Sequence, residues 1–231
     1  NNAADIGFDN ISVDLIFNLP RQTKEKWINN LETAIQLPIK HISTYSLILE
    51  RGTILHKLVL DKKVTMQDDD YDADLYETTI DFLISKGFYQ YEVSNFTKSG
   101  FECVHNNAYW RYRDYLSFGT SSHSFVDGKR WWNYSSLKKY ISEIELNNHA
   151  IMNSEIISEE QKHDEYVMLA LRSSGLDLNE YKTLFSEEWI NKCYPYLKML
   201  QKENLIELNP SNIRLTSKGY AVCDEMLKNI L

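Results

Sequence analysis

The chain has 231 residues, enough for one large domain or two small ones, and its 43% hydrophobic and 25% charged residues are those of an ordinary globular protein. A formal charge of −8 argues against a general surface for nucleic acid or anionic membrane, and leaves room only for a local basic patch. No apolar run approaches the ~18 residues of a membrane helix, and three widely spaced cysteines (Cys103, Cys193, Cys223) argue for a reducing cytoplasm rather than a disulfide framework.

The opening "NNAADIGFDN" reads as the tail of a helix running into a turn at Gly7, so the chain is expected to be a piece of something longer. "NISVDLIFNLP" is a largely apolar, β-branched run, the pattern of a strand buried on both faces. Asp14 is its odd member, and a carboxylate in such a run is expected near the strand's end, in reach of a ligand or a backbone donor. "RQTKEKWINNLETAIQL" is expected to be a helix with Thr23 as N-cap and Trp27, Leu31, Ala34 and Ile35 as its apolar stripe. "HISTYSLILE" is a second strand, so strand, helix and strand form a βαβ unit with parallel strands.

"ERGTILHKLV" turns at Gly52 into a short helical piece. "QDDDYDADLYETTIDFLISKG" reads as a helix with Leu75, Ile80, Leu83 and Ile84 inward and Gly87 closing it. Its acidic run lacks the glycine and closing Glu of a calcium loop, and suits a solvated helix N-terminus. "FYQYEVSNF" alternates like a strand, on which Glu92 and Asn95 are candidates to bind polar groups. From Thr97 to Trp132 the pattern is loop-rich with two short strand-like runs, and "YSSLKKYISEIELN" is a helix.

After about Ser158 the texture changes to helices and a hairpin turning at Asn209-Pro210-Ser211, with Pro195 requiring a first-turn position or a kink. This is the pattern of a winged-helix-like module. Its basic residues (Lys192, Lys198, Lys202, Arg214, Lys218, Lys228) are scattered among acidic ones, which disfavours DNA as a partner and favours an interaction surface or a lid.

One stretch carries unusual chemistry. "CVHNNAYW" sets Cys103, His105, Asn106, Tyr109 and Trp110 within eight residues, with His123 and "RWWN" following. Three readings are open: metal ligation, stacking on a flat ligand, or packing. As a zinc pair, Cys103 and His105 would need two more ligands. His123 divides between a site and a core hydrogen bond, and Trp131 and Trp132 are expected to fasten the loop region.

"GFDNISVDLIFNLPRQT", "HISTYSLILERGT", "YQYEVSNFTKSGFECVHNNAYWRYRDYLSFGTSSHS" and "RWWN" resemble the radical S-adenosylmethionine proteins related to oxygen-independent coproporphyrinogen III oxidase, and within them the HemW branch of heme chaperones. The resemblance implies an α/β fold: residues 1–157 as the end of a partial (β/α) barrel plus an aromatic β segment, and residues 158–231 as the winged-helix-like domain. It implies S-adenosylmethionine and a [4Fe–4S] cluster in the full-length parent. The family's "CxxxCxxC" cluster loop has no counterpart here, so this chain is expected to lack the cluster ligands and to be inactive alone. Asp14, Ile16 and Tyr45 match positions on the S-adenosylmethionine side.

The same resemblance implies heme as a ligand. His105 would hold the iron, Asn106 would orient the imidazole, and Tyr109 and Trp110 would flank the macrocycle. A heme-accepting protein is the implied partner. Two departures stand out: Asn18 and Arg21 replace the glycines of the family's "GLPGQT" loop, and "GTSSHS" replaces a more glycine-rich stretch. Besides the chaperone, two readings stay open: an oxidase that decarboxylates propionate side chains, and an interaction module with no ligand.

Overall fold

The computed structural model describes residues 2–231. Its chain forms two compact units, one built from residues 2–102, Tyr196–Leu208 and Leu215–Met226, the other from Cys103–Pro195, Asn209–Arg214 and Leu227–Leu231.

In the first unit a short helix α1 (Asn2–Asp5) leads through Gly7 into β1 (Ser12–Phe17), α2 (Lys24–Ile35), β2 (His41–Ser46), α3 (Ile54–Leu60), α4 (Asp69–Ser85), β3 (Tyr89–Gln90) and β4 (Asn95–Thr97). β1 and β2 pair in parallel and β4 runs antiparallel to both β2 and β3, giving the open order β1-β2-β4-β3. The βαβ unit is as the apolar patterning requires. Thr23 caps α2 by accepting the Lys26 N–H, and Asp68 caps α4 by accepting the Tyr71 N–H. Trp27 and Leu31 of α2 meet Leu75, Ile80 and Leu83 of α4 over Phe17, Ile42 and Phe96 of the sheet. The Trp27 indole N–H donates to the Thr79 hydroxyl at 2.8 Å, so the largest core side chain buries no unpaired donor.

Three expectations change here. β1 is not buried on both faces: Val13, Leu15 and Phe17 turn to the core, while Ser12, Asp14 and Ile16 stay open. The helices α2 and α4 pack against the Phe17 side of β1, so strand alternation sorts this run into a packed and an exposed face. Ile84 is exposed, because α4 turns Leu83 and not its neighbour to the core. "FYQYEVSNF" is a tight hairpin and not one strand: β3 ends at Gln90, the chain bends through Glu92, and β4 starts at Asn95.

The second unit begins with a helix that the loop-rich pattern concealed, α5 (Val104–Trp110). Then come β5 (His123–Val126), β6 (Lys129–Asn133), α6 (Leu137–Asn147), β7 (Ile151–Ile156), α7 (Glu159–Leu171), β8 (Leu176–Asp177), α8 (Leu178–Leu184) and α9 (Glu188–Lys202). β5 and β6 form a hairpin whose central residues, Asp127 and Gly128, both have positive φ (50° and 74°), the geometry that suits a two-residue turn between twisted strands. β7 joins as a third antiparallel strand, unforeseen because its residues are all exposed and carry no core alternation. α7 starts with a reciprocal cap between Ser158 and Gln161. Pro195 lies in the interior of α9, where it cannot donate a helical hydrogen bond, and the division between the two units falls just after it.

The chain then passes through β9 (Ile206–Leu208), a turn tied by the Asn209 side chain to the Ser211 and Asn212 N–H groups, and β10 (Asn212–Leu215), which pairs antiparallel with β8. The final helix divides into α10 (Ser217–Ala221) and α11 (Cys223–Lys228), because Val222 leaves helical dihedrals. Gly219 in α10 is required by close approach: a Cβ there would lie 2.0 Å from the Leu205 carbonyl oxygen.

Candidate functional site

The open face of the first unit's sheet is polar by register. Ser12, Asp14 and Ile16 stand opposite His41, Ser43 and Tyr45, and His41 and Ser43 stand opposite Thr97 and Asn95. Residues directly opposite share a face, so Asp14, Ile16 and Tyr45 are brought together. All three are exposed, Ile16 to 49% and Tyr45 to 42%, as ligand-facing side chains of an open sheet would be.

Beneath them the face is satisfied by its own hydrogen bonds. His41 is buried, with Nδ1 2.8 Å from the Ser12 hydroxyl and Nε2 2.8 Å from the Tyr91 hydroxyl. Burial pulls its pKa below the ordinary imidazole value, and the Asp14 charge opposes that shift. His41 is therefore a neutral imidazole shared between two hydroxyls. Glu92, in the β3–β4 bend, is almost fully buried and accepts the Ser94 N–H at 3.1 Å. Burial pushes its pKa up to about 7, against the pull of the hydrogen bonds from the Ser94 backbone and from Asn95. Asn95 is itself buried, and its Oδ1 has no hydrogen-bond partner. Glu92 and Asn95 do meet, but through a bend and not by strand alternation.

The loop after β1 explains the departures at Asn18 and Arg21. Both residues have positive φ, 60° and 62°, the backbone that a glycine adopts without cost. The glycine-like path is kept by two residues with side chains. Gln22 ties it down: its side chain accepts the Leu19 N–H, and its carbonyl accepts the Tyr71 hydroxyl at 3.1 Å.

In the second unit the helical form of "CVHNNAYW" sets His105 and Tyr109 one turn apart, with ring centroids 4.8 Å apart and edge to face. Tyr109 in turn meets Tyr115 at 4.4 Å, and Tyr115 meets Phe125 at 6.1 Å. His105 itself is exposed, whereas Asn106, Tyr109 and Trp110 are half-buried. The helix ends with Tyr112 in the left-handed region (φ 53°), a strained position for an aromatic residue. The Tyr112 ring packs against Phe125 at 5.0 Å, and its hydroxyl donates to Glu165 at 3.0 Å.

These rings wall a cavity of about 500 Å³, within the ~300–1,000 Å³ usual for small-molecule sites. Strand alternation decides its floor: His123 and Phe125 of β5, Arg130 and Trp132 of β6, and Glu155 of β7 share one face, and α7 adds Glu165, Met168 and Leu169. Trp132 thus lines the cavity beside His123, their rings 5.7 Å apart, while its neighbour Trp131 points to the other face. Both tryptophans had been expected as fasteners. Arg130 is shared between Glu155 (3.1 Å) and Glu165 (2.6 Å). The Glu165 bond holds the guanidinium charged, and burial together with Glu165 raises the Tyr112 hydroxyl's pKa. Tyr112, Tyr115, Arg130 and Glu165 carried no motif; only the period of two along β5 and β6 hinted at which residues would share a face.

The residues present do not fit an iron–sulfur cluster. Cys103 precedes α5, Cys193 and Cys223 are buried in α9 and α11, and among the described residues no three His, Cys, Asp or Glu side chains are grouped to hold a metal ion. The polar sheet face does fit S-adenosylmethionine, since it offers the Asp14 carboxylate, exposed Ile16 and Tyr45, and an unpaired Asn95 oxygen behind them. No helix is long and apolar enough to cross a membrane among the described residues.

Residues 157–222 match the family described as the HemN C-terminal domain. The heme chaperone HemW of Bacillus subtilis is 32% identical over 97% of this chain, a match covering 59% of that protein, and the HemW of Lactococcus lactis is 29% identical with the same coverage. A mitochondrial protein of Danio rerio, named radical S-adenosyl methionine domain-containing protein 1, is 30% identical over 96% of this chain and 52% of its own length. The coproporphyrinogen III oxidase HemN of Escherichia coli, described as a radical SAM enzyme, has the same fold, with a TM-score of 0.75 at 19% identity over 99% of this chain and 56% of its own. The chain thus spans little more than half the length of the proteins it matches; it is similar along nearly its whole length to HemW heme chaperones, and its fold is that of the oxidase.

Proposed function

We propose that this chain is the heme-holding part of a HemW-like chaperone, working in the cytoplasm and passing heme to an accepting protein. The observation that carries the reading is the succession of rings from His105 through Tyr109 and Tyr115 to the aromatic cavity. An exposed imidazole is free to take iron, and aromatic side chains next to it bury the apolar faces of a macrocycle. In this reading His105 holds the iron, Asn106 orients its ring, and Tyr109 and Trp110 shelter the porphyrin edge. In the full-length parent, S-adenosylmethionine would lie against Asp14, Ile16 and Tyr45, with Asp14 accepting hydrogen bonds from its hydroxyls or amine. The [4Fe–4S] cluster would be held outside this chain.

The test is a hemin titration of the 231-residue chain followed by its Soret band, with His105→Ala beside the wild type. Near-stoichiometric saturation that weakens in the variant is expected. Saturation unaltered by His105→Ala would remove His105 from the iron, and a folded wild type that takes up no hemin would sink the reading for this chain.

The fold shared with the oxidase favours a second reading, in which the full-length protein decarboxylates coproporphyrinogen III. Turnover assays on the full-length protein separate the two. A chain that neither binds hemin nor supports turnover would be an interaction module without a ligand.

A further inference from the structure

The cavity of the second unit holds groups that the heme reading does not use. His123 is the imidazole in its lining, beside Trp132, and His105 is not among the lining residues. Its charges are unevenly spent. Arg130 is engaged by Glu155 and Glu165, so its single charge is spent inside the wall and does not face the cavity alone. Arg113 also lines the cavity, is exposed, and makes no ion pair among the described residues. The remaining surface is mostly apolar and aromatic: Tyr109, Tyr115, Phe125, Trp132 and the α7 residues Met168 and Leu169.

A cavity of this size with largely apolar walls, the Arg113 cation at its edge and the His123 imidazole in its lining suits a planar aromatic ligand that carries a carboxylate and can offer a metal. The strained Tyr112 supports a built site: its left-handed backbone costs stability, and its hydroxyl and ring are held against Glu165 and Phe125 of the wall.

We propose that this cavity seats the porphyrin macrocycle, with Arg113 pairing with a propionate and His123 placing an imidazole nitrogen on the iron. The proposal rests on the heme reading above and adds where the ring sits and what grips it. His123 would then supply a nitrogen donor to the iron beside the one that the heme reading assigns to His105.

The experiment compares hemin, metal-free protoporphyrin and protoporphyrin dimethyl ester as probes, against wild type, Arg113→Gln and His123→Ala. Both substituted side chains are exposed, so neither change opens the core. Arg113→Gln is expected to weaken hemin and protoporphyrin roughly tenfold, as loss of a charge-assisted pair would, and to leave the ester unchanged. His123→Ala is expected to turn ferric heme from low spin towards high spin while metal-free protoporphyrin still binds. If wild type binds hemin and both variants match it in affinity and spin state, the cavity proposal is overturned and the heme reading stands. Equal weakening of acid and ester by Arg113→Gln would overturn the propionate pairing. No hemin uptake by folded wild type would remove the heme reading and this seat with it.

Discussion

The sheets β1-β2-β4-β3 and β5-β6-β7 use the same alternation for opposite ends. In the first unit, one face of β1-β2-β4-β3 is closed by α2 and α4 over a dry core, and the other is polar, exposed at Asp14, Ile16 and Tyr45 and buried at His41, Ser43 and Asn95. In the second unit, the face of β5-β6-β7 that carries His123, Phe125, Arg130 and Trp132 is not filled by packing but walls a cavity. Among its aromatic rings the wall carries tyrosine hydroxyls, the Arg130 guanidinium and the His123 imidazole. Closed packing calls for apolar groups that fill space, whereas a cavity wall must hold its shape with its centre empty, which polar tips bonded to each other can do.

Three substitutions would break or sharpen this contrast. The largest effect is expected at Trp27 on the closed side. Trp27→Ala removes the largest fully buried side chain and its bond to Thr79, and should cost about 3–5 kcal/mol in urea unfolding. A loss below about 1 kcal/mol would mean that this packing does not hold the first sheet.

The next concerns the open side. Glu92 is an acid whose folded pKa is raised from 4.5 to about 7 by burial. Its contribution to stability is therefore fully present below pH 4.5 and lost as pH rises through about 7, a swing of about 3 kcal/mol. Glu92→Gln should flatten that slope, so that the variant's melting temperature exceeds the wild type's at pH 8 and approaches it at pH 5. Parallel pH profiles for the two proteins would assign the slope to another group.

The smallest is at the cavity wall. Tyr112→Phe deletes the bond to Glu165 while the Arg130–Glu165 pair remains, so a loss of about 1–2 kcal/mol is expected. If unfolding is unchanged, the hydroxyl does not brace the wall, and Phe125 contact alone keeps the ring in place.

Much of the first unit was legible in the residues. The apolar stripe of α2, the cap Thr23, and the β-branched runs of β1 and β2 are local signals, and local signals determine helices, their starts and parallel strands between them. "CVHNNAYW" marked α5 as chemically unusual but hid that it is a helix, because a seven-residue helix of aromatic and amide residues has no apolar stripe to announce it. β7 was invisible for the same reason, since an exposed strand shows no alternation of burial.

What only the tertiary structure decided is which side chains face each other. Whether β1 had one covered face or two depended on where α2 and α4 packed. Glu92 and Asn95 meet through a bend that alternation cannot foresee, and Trp132 parts from Trp131 once the register with β5 is known. The grouping of His123, Arg130, Glu165 and Tyr112 around one cavity joins segments separated by dozens of residues. Residue type sets what each group can bind, but only long-range pairing, which no local pattern encodes, sets what it stands beside.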